Sequence, residues 1–142
     1  MPLTERQLGL VRDSFAALRN DPVPKSLEFY DALFRKAPEL KGLFREDLTG
    51  QGMRFMATLG AIVDNLHDSN AMADRYTDLG NAHRAMGVKA KDFIPMGQAL
   101  FETLEHTLGE DFTPETKEAW EIAYAEFSRD IIAKGEIPQD QA

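Results

Sequence analysis

Apolar residues recur along this chain at intervals of three and four, the period of an α-helix with one buried face. Leu8, Val11, Phe15 and Leu18 form the first stripe, and Thr4 with Gln7 makes a capping box to start it. Asn20-Asp21-Pro22 breaks the pattern before a second helix in which Leu27, Tyr30 and Phe34 share a face. Pro38 opens a short segment closing near Leu43-Phe44, since proline suits a first helical turn. Asp47 to Gly52 reads as a loop, with Thr49 as a cap for the helix carrying Phe55, Leu59, Ile62 and Leu66. After a turn at His67 to Asn70, Met72, Tyr76, Leu79 and His83 continue at offsets of 4, 7 and 11, and Gly87 ends the run.

Two longer helices follow. Phe93, Met96, Leu100, Leu104 and Leu108 face inward on one; Trp120, Tyr124, Phe127 and Ile131 do so on the other, behind a Thr113-Pro114 start. No segment alternates with a period of two, so the expected fold class is all-α, with six or seven helices in a single domain over residues 1–142.

Composition narrows the chemistry. Hydrophobic residues at 43% with 28% charged residues suit a folded domain able to bury one core. A net charge of −8 argues against nucleic acid as a partner, because phosphate binding needs a basic surface. Cysteine is absent, which excludes disulfides, thiolate metal sites, cysteine nucleophiles and thioether-linked cofactors. The opening MPLTERQLGL has no apolar core of a secretory signal, and no run approaches a membrane span; the expectation is a cytoplasmic protein with no membrane partner. The run Arg45-Glu46-Asp47 reads as a solvated stretch.

Three polar side chains fall on otherwise apolar faces: Tyr30, Gln51 and His83. Each has a plain structural alternative. A buried tyrosine contributes apolar area and satisfies its hydroxyl on a carbonyl, Gln51 could cap a helix or face water, and a core histidine need not be a ligand. Other chemistries fit less well. A di-iron bundle needs paired Glu-x-x-His motifs, and only Asp64-Asn65-Leu66-His67 comes near one. His67, His83 and His106 lie on separate segments without short metal-ligand spacing. There is no phosphate-binding glycine loop and no GxSxG elbow.

The segment Leu79-Gly80-Asn81-Ala82-His83-Arg84-Ala85-Met86-Gly87-Val88 resembles the proximal-helix signature of globins, among them bacterial single-domain globins, flavohaemoglobin globin domains and neuroglobin-like proteins. Phe29-Tyr30-x-x-Leu33-Phe34-x-x-x-Pro38-x-Leu40-x-x-Leu43-Phe44 resembles their second and third helices, and the Gln51-to-His83 separation of 32 residues is similar to their distal-to-proximal spacing. The segment from Leu108 through Phe112-Thr113-Pro114 to Ala119-Trp120 and Tyr124 is similar as well, so the resemblance covers essentially the whole chain.

The resemblance implies a globin fold of six to eight helices around a haem pocket, with haem b (iron protoporphyrin IX) as cofactor. It implies His83 as the iron ligand and Phe44 stacked on the porphyrin, with Leu79, Val88 and Phe93 along its edges and proximal face. Tyr30 and Gln51 would be the distal polar pair, Phe55 the apolar wall between them, and Arg54 a residue able to reach a haem propionate. Dioxygen held in such a pocket carries partial negative charge, and a phenol O–H with an amide N–H supplies two donors. The expected behaviour is reversible binding of dioxygen, and of nitric oxide and carbon monoxide, with high oxygen affinity.

The resemblance leaves other activities open. A nitric oxide dioxygenase or peroxidase would be expected to need an external reductase, since residues 1–142 contain no flavin reductase segment. A gas or redox sensor would need a separate partner, and a globin-fold interaction protein would need no haem. The flavohaemoglobin pattern surrounds the proximal histidine with a tyrosine and a glutamate; the matching positions are Phe93 and Gly135, with Glu136 adjacent, which puts strong proximal electron donation in doubt. The expected assembly is a monomer or homodimer.

Overall fold

The computed structural model describes residues 3–44 and 48–138. Among the described residues six α-helices follow one another: α1 (Glu5–Arg19), α2 (Pro22–Lys36), α3 (Leu48–Asp64), α4 (Ala73–Met86), α5 (Phe93–Leu108) and α6 (Pro114–Lys134). A six-residue 3-10 helix, Pro38–Leu43, links α2 to α3, and no strand occurs among the described residues. The architecture is all-α, and with the longer 3-10 helix the count falls in the expected range.

Local chemistry accounts for the helix ends. Thr4 Oγ1 accepts from Gln7 N at 3.1 Å while Gln7 Oε1 accepts from Thr4 N at 2.9 Å, the expected capping box. Pro22 and Pro114 occupy first-turn positions, where the missing N–H costs nothing. Thr113 caps α6 by accepting from Thr116 N. Asp68 Oδ1 accepts from Asn70 N and Ala71 N to start the short 3-10 turn before α4. Gly87, at φ 94°, ends α4; the Val88 N–H returns to the His83 carbonyl at 3.0 Å.

α2 lies against α5 and α3, α4 against α6, and α1 against α6, α3 and α5. Val11, Phe15 and Leu18 of α1, Ala99 and Leu104 of α5, and Ala119, Trp120 and Ala123 of α6 are fully or almost fully buried. Each large apolar side chain removed from water contributes about 1.5–3 kcal/mol. The indole of Trp120 is also satisfied: Nε1 donates to Ser14 Oγ at 2.7 Å, and Ser14 Oγ donates to Leu10 O at 2.6 Å.

Two readings of the sequence need correction. Leu27 does not share the buried face of α2; it is exposed, and Ser26, Phe29, Tyr30 and Leu33 point inward. The stretch from Leu48 to Gly52 is not a loop but the first turn of α3, so Thr49 lies inside the helix and does not cap it. The reason is contact with α2. A Cβ at Gly52 would collide with Ser26 Oγ and come within 2.8 Å of Ser26 Cβ. The glycine that weakens the helix locally is the one that lets the two helices touch. The expected solvated run at residues 45–47 lies outside the described residues.

Candidate functional site

The close crossing of α2 and α3 brings Tyr30 beside the first turn of α3. Tyr30 is buried, and its ring packs against Phe29, Phe34, Phe44 and Phe55 with centroid separations of 5.3, 6.0, 5.3 and 6.1 Å. Phe55 stacks on Phe29 at 4.4 Å, and Phe34 meets Phe44 at 5.4 Å. One phenol hydroxyl therefore sits within an aromatic wall contributed by α2, α3 and the residue after the 3-10 helix.

Burial pushes the Tyr30 pKa up to about 12, opposed by a hydrogen bond with the Gln51 side chain and by the charge of Arg54. The phenol stays protonated, and thus a donor, throughout the neutral range. Gln51 is half-buried, and its Oε1 accepts from Arg54 Nη2 at 3.0 Å. Arg54 itself is exposed. Tyr30, Gln51, Phe55 and Phe44 are thus brought together, with Arg54 at the margin.

His83 lies on α4, one turn before its C-terminal glycine. Its Nδ1 is 2.8 Å from the Leu79 carbonyl, a pure acceptor, so Nδ1 carries the proton and Nε2 presents a lone pair. Burial lowers its pKa, partly offset by the Leu79 hydrogen bond, which keeps the ring neutral at neutral pH. The ring of Phe93, the first residue of α5, lies 5.6 Å from the imidazole and tilted by 45°. Leu79 is half-buried and Val88 is buried in the α4–α5 connection.

A neutral, oriented imidazole with a free Nε2 has the chemistry of a histidine that ligates iron through one nitrogen while the other is anchored to a carbonyl. The donor set fits a haem. Among the described residues no cluster of three or more His, Asp or Glu side chains could hold a metal ion by itself. The other histidines are committed elsewhere: His67 Nδ1 meets Arg12 Nη2 at 2.9 Å, and His106 Nδ1 meets Glu28 Oε1 at 2.8 Å.

Gly135, the position matched to a proximal glutamate, serves packing instead. A Cβ at Gly80 would come within 2.6 Å of Gly135 Cα and 2.5 Å of the Ile131 carbonyl, so α4 crosses the end of α6 backbone to backbone. Glu136 is exposed, with φ at 51°.

Sequence reasoning missed the glycines and the residue that supports Phe93. The Tyr124 hydroxyl donates to the Phe93 carbonyl at 2.6 Å, and its ring passes over Gly97, where a Cβ would come within 2.7 Å of it. The sequence marks Tyr124 as an aromatic residue on the buried stripe of the last helix and as part of the C-terminal globin-like segment, with nothing to tie it to Phe93.

The globin family profile matches residues 27–131. Neuroglobin of Danio rerio is 28% identical, covering 87% of this chain and 86% of that protein. Neuroglobin of Dissostichus mawsoni and neuroglobin-1 of Oncorhynchus mykiss are each 28% identical, covering 97% of this chain and 98% of theirs. These three relatives are vertebrate proteins. No helix among the described residues is long and apolar enough to cross a membrane.

Proposed function

The chain belongs to the globin family, which implies a haem and diatomic gas ligands, and from that premise we propose that it binds dioxygen reversibly and tightly at a b-type haem held by His83. The observation that carries the reading is the imidazole: its Nδ1 proton is committed to the Leu79 carbonyl, leaving Nε2 as the ligating atom. Leu79, Val88 and Phe93 would line the His83 side of the haem, and Phe44 would stack on it. Haem supplies the iron to which dioxygen, nitric oxide or carbon monoxide binds.

Tyr30 and Gln51 would supply the polarity on the gas-binding side. Dioxygen held there would carry partial negative charge, and the phenol would be a donor to it at any physiological pH, because burial pushes the Tyr30 pKa up to about 12. Phe29, Phe34, Phe44 and Phe55 exclude water around that donor, and a drier setting strengthens each hydrogen bond. Carbon monoxide is less polar when bound and gains less from the same groups.

Tyr30→Phe tests the reading. One hydrogen bond to a partly charged acceptor contributes about 1–2 kcal/mol, so the variant should release oxygen roughly 5- to 30-fold faster. Carbon monoxide release should change little. An oxygen off-rate unchanged in Tyr30→Phe, measured by displacement with carbon monoxide in a stopped-flow instrument, would sink the distal role of Tyr30.

A further inference from the structure

The Gln51 amide is two-faced: its oxygen only accepts and its NH2 only donates. Which end turns toward Tyr30 decides what is left for a ligand. If the amide oxygen faces the phenol, the Tyr30 proton is consumed within the protein. If the NH2 faces it, the phenol oxygen is filled as an acceptor and the O–H proton remains free.

Arg54 resolves this choice. A guanidinium has five N–H donors and no acceptor, so the end of the Gln51 amide that meets Arg54 Nη2 at 3.0 Å must be the oxygen. Gln51 and Arg54 stand three residues apart on α3, a spacing that puts both on one helix face. With the oxygen committed, the NH2 is the end left for Tyr30, whose ring stands against this same turn of α3, 3.7 Å from where a Cβ of Gly52 would lie. The Tyr30 environment has the matching sign, since Gln51 and Arg54 both favour the charged form of the phenol, as groups presenting positive charge to its oxygen do.

Building on the pocket reading above, we propose that Arg54 is a positioning residue: by donating to Gln51 Oε1 it holds the amide NH2 toward the Tyr30 oxygen and thereby directs the Tyr30 O–H proton at the bound gas. The donors then run one way, from guanidinium to amide to phenol to ligand. Each bond polarises the next, so a cation at the exposed end strengthens the donor at the buried end. This role differs from a contact with a haem propionate, which would act on cofactor retention rather than on Gln51.

A double-mutant cycle on the haem-loaded protein separates the two roles. Oxygen release and the infrared C–O stretch of the carbon monoxide form are measured for wild type, Arg54→Leu, Arg54→Lys, Gln51→Leu, Arg54→Leu/Gln51→Leu and Tyr30→Phe. Arg54→Leu should release oxygen roughly three- to tenfold faster, the loss of one modest hydrogen bond. Its C–O stretch should move upward as positive potential leaves the pocket.

Arg54→Lys, which keeps a donor-only cation, should recover much of the slow release. In the Gln51→Leu background, Arg54→Leu should have no further effect on either readout. A wild-type oxygen off-rate in Arg54→Leu, or an undiminished Arg54 effect in the Gln51→Leu background, would overturn the proposal while a fast Tyr30→Phe variant left the pocket reading intact. If Tyr30→Phe is itself unchanged, the pocket reading fails and the proposal falls with it.

Discussion

Glu136 occupies a left-handed conformation at φ 51°, where a side chain costs about 1–2 kcal/mol relative to glycine. It closes α6: the Glu136 N–H reaches the Ala133 carbonyl at 3.2 Å and the Ile137 N–H the Ile132 carbonyl at 3.0 Å, a pattern that favours glycine at residue 136. Glycine stands one position earlier, at Gly135, because the backbone of Gly80 lies against it. Glu136→Gly should therefore raise stability by about 0.5–1 kcal/mol, after the entropy of an added glycine is deducted. Gly135→Ala should lower it by about 1–3 kcal/mol as the backbones are forced apart. Urea unfolding of both variants checks the pair, and equal midpoints would contradict this account of the α6 end. Tyr30 and His83 stand out in the sequence as polar residues on apolar stripes, and it is the globin resemblance, not the stripe, that assigns each a role. Gly80, Gly97 and Gly135 do not stand out, because what each requires is a partner distant in the chain.

The crossing of α2 and α3 sets the position of the aromatic wall. A methyl group at residue 52 has no room beside Ser26, so Gly52→Ala should separate the helices, cost about 1–3 kcal/mol and move Tyr30 away from Gln51. Oxygen release should quicken in the same variant. Adding Ser26→Gly should return part of both losses; a double variant no better than Gly52→Ala would mean that the contact is not the cause. The same crossing explains a misread element. Thr49-Gly50-Gln51-Gly52 has the composition of a loop, and glycine costs a helix roughly 1 kcal/mol. Only the packing of α3 on α2 shows why the helix accepts it. Where boundaries depended on local chemistry, as at Thr4, Pro22, Gly87 and Thr113-Pro114, the sequence was sufficient to find them.

Over the whole molecule, ion pairs tie distant helices at the surface. Burial pushes the Glu28 carboxyl up, but hydrogen bonds from Lys25 and His106 outweigh it and leave the pKa below its ordinary 4.5. The Arg35 and Lys36 hydrogen bonds hold Glu102 down, and the Arg6 hydrogen bond does the same for Glu115. Carboxylates with depressed folded pKa values contribute stability that is present above 4.5 and lost as pH falls through the folded value. The urea midpoint should therefore fall between about pH 5 and pH 3, by a small amount that added salt reduces further, since exposed pairs are screened. A midpoint that stayed level over this range would remove these pairs from the account. The central claim concerns one nitrogen. The visible absorption spectrum of the reduced, haem-loaded protein should be compared with that of His83→Gly, with and without imidazole in solution. We expect the Soret band to be lost or shifted in the variant and restored by imidazole; a wild-type spectrum from His83→Gly alone would show that His83 is not the ligand.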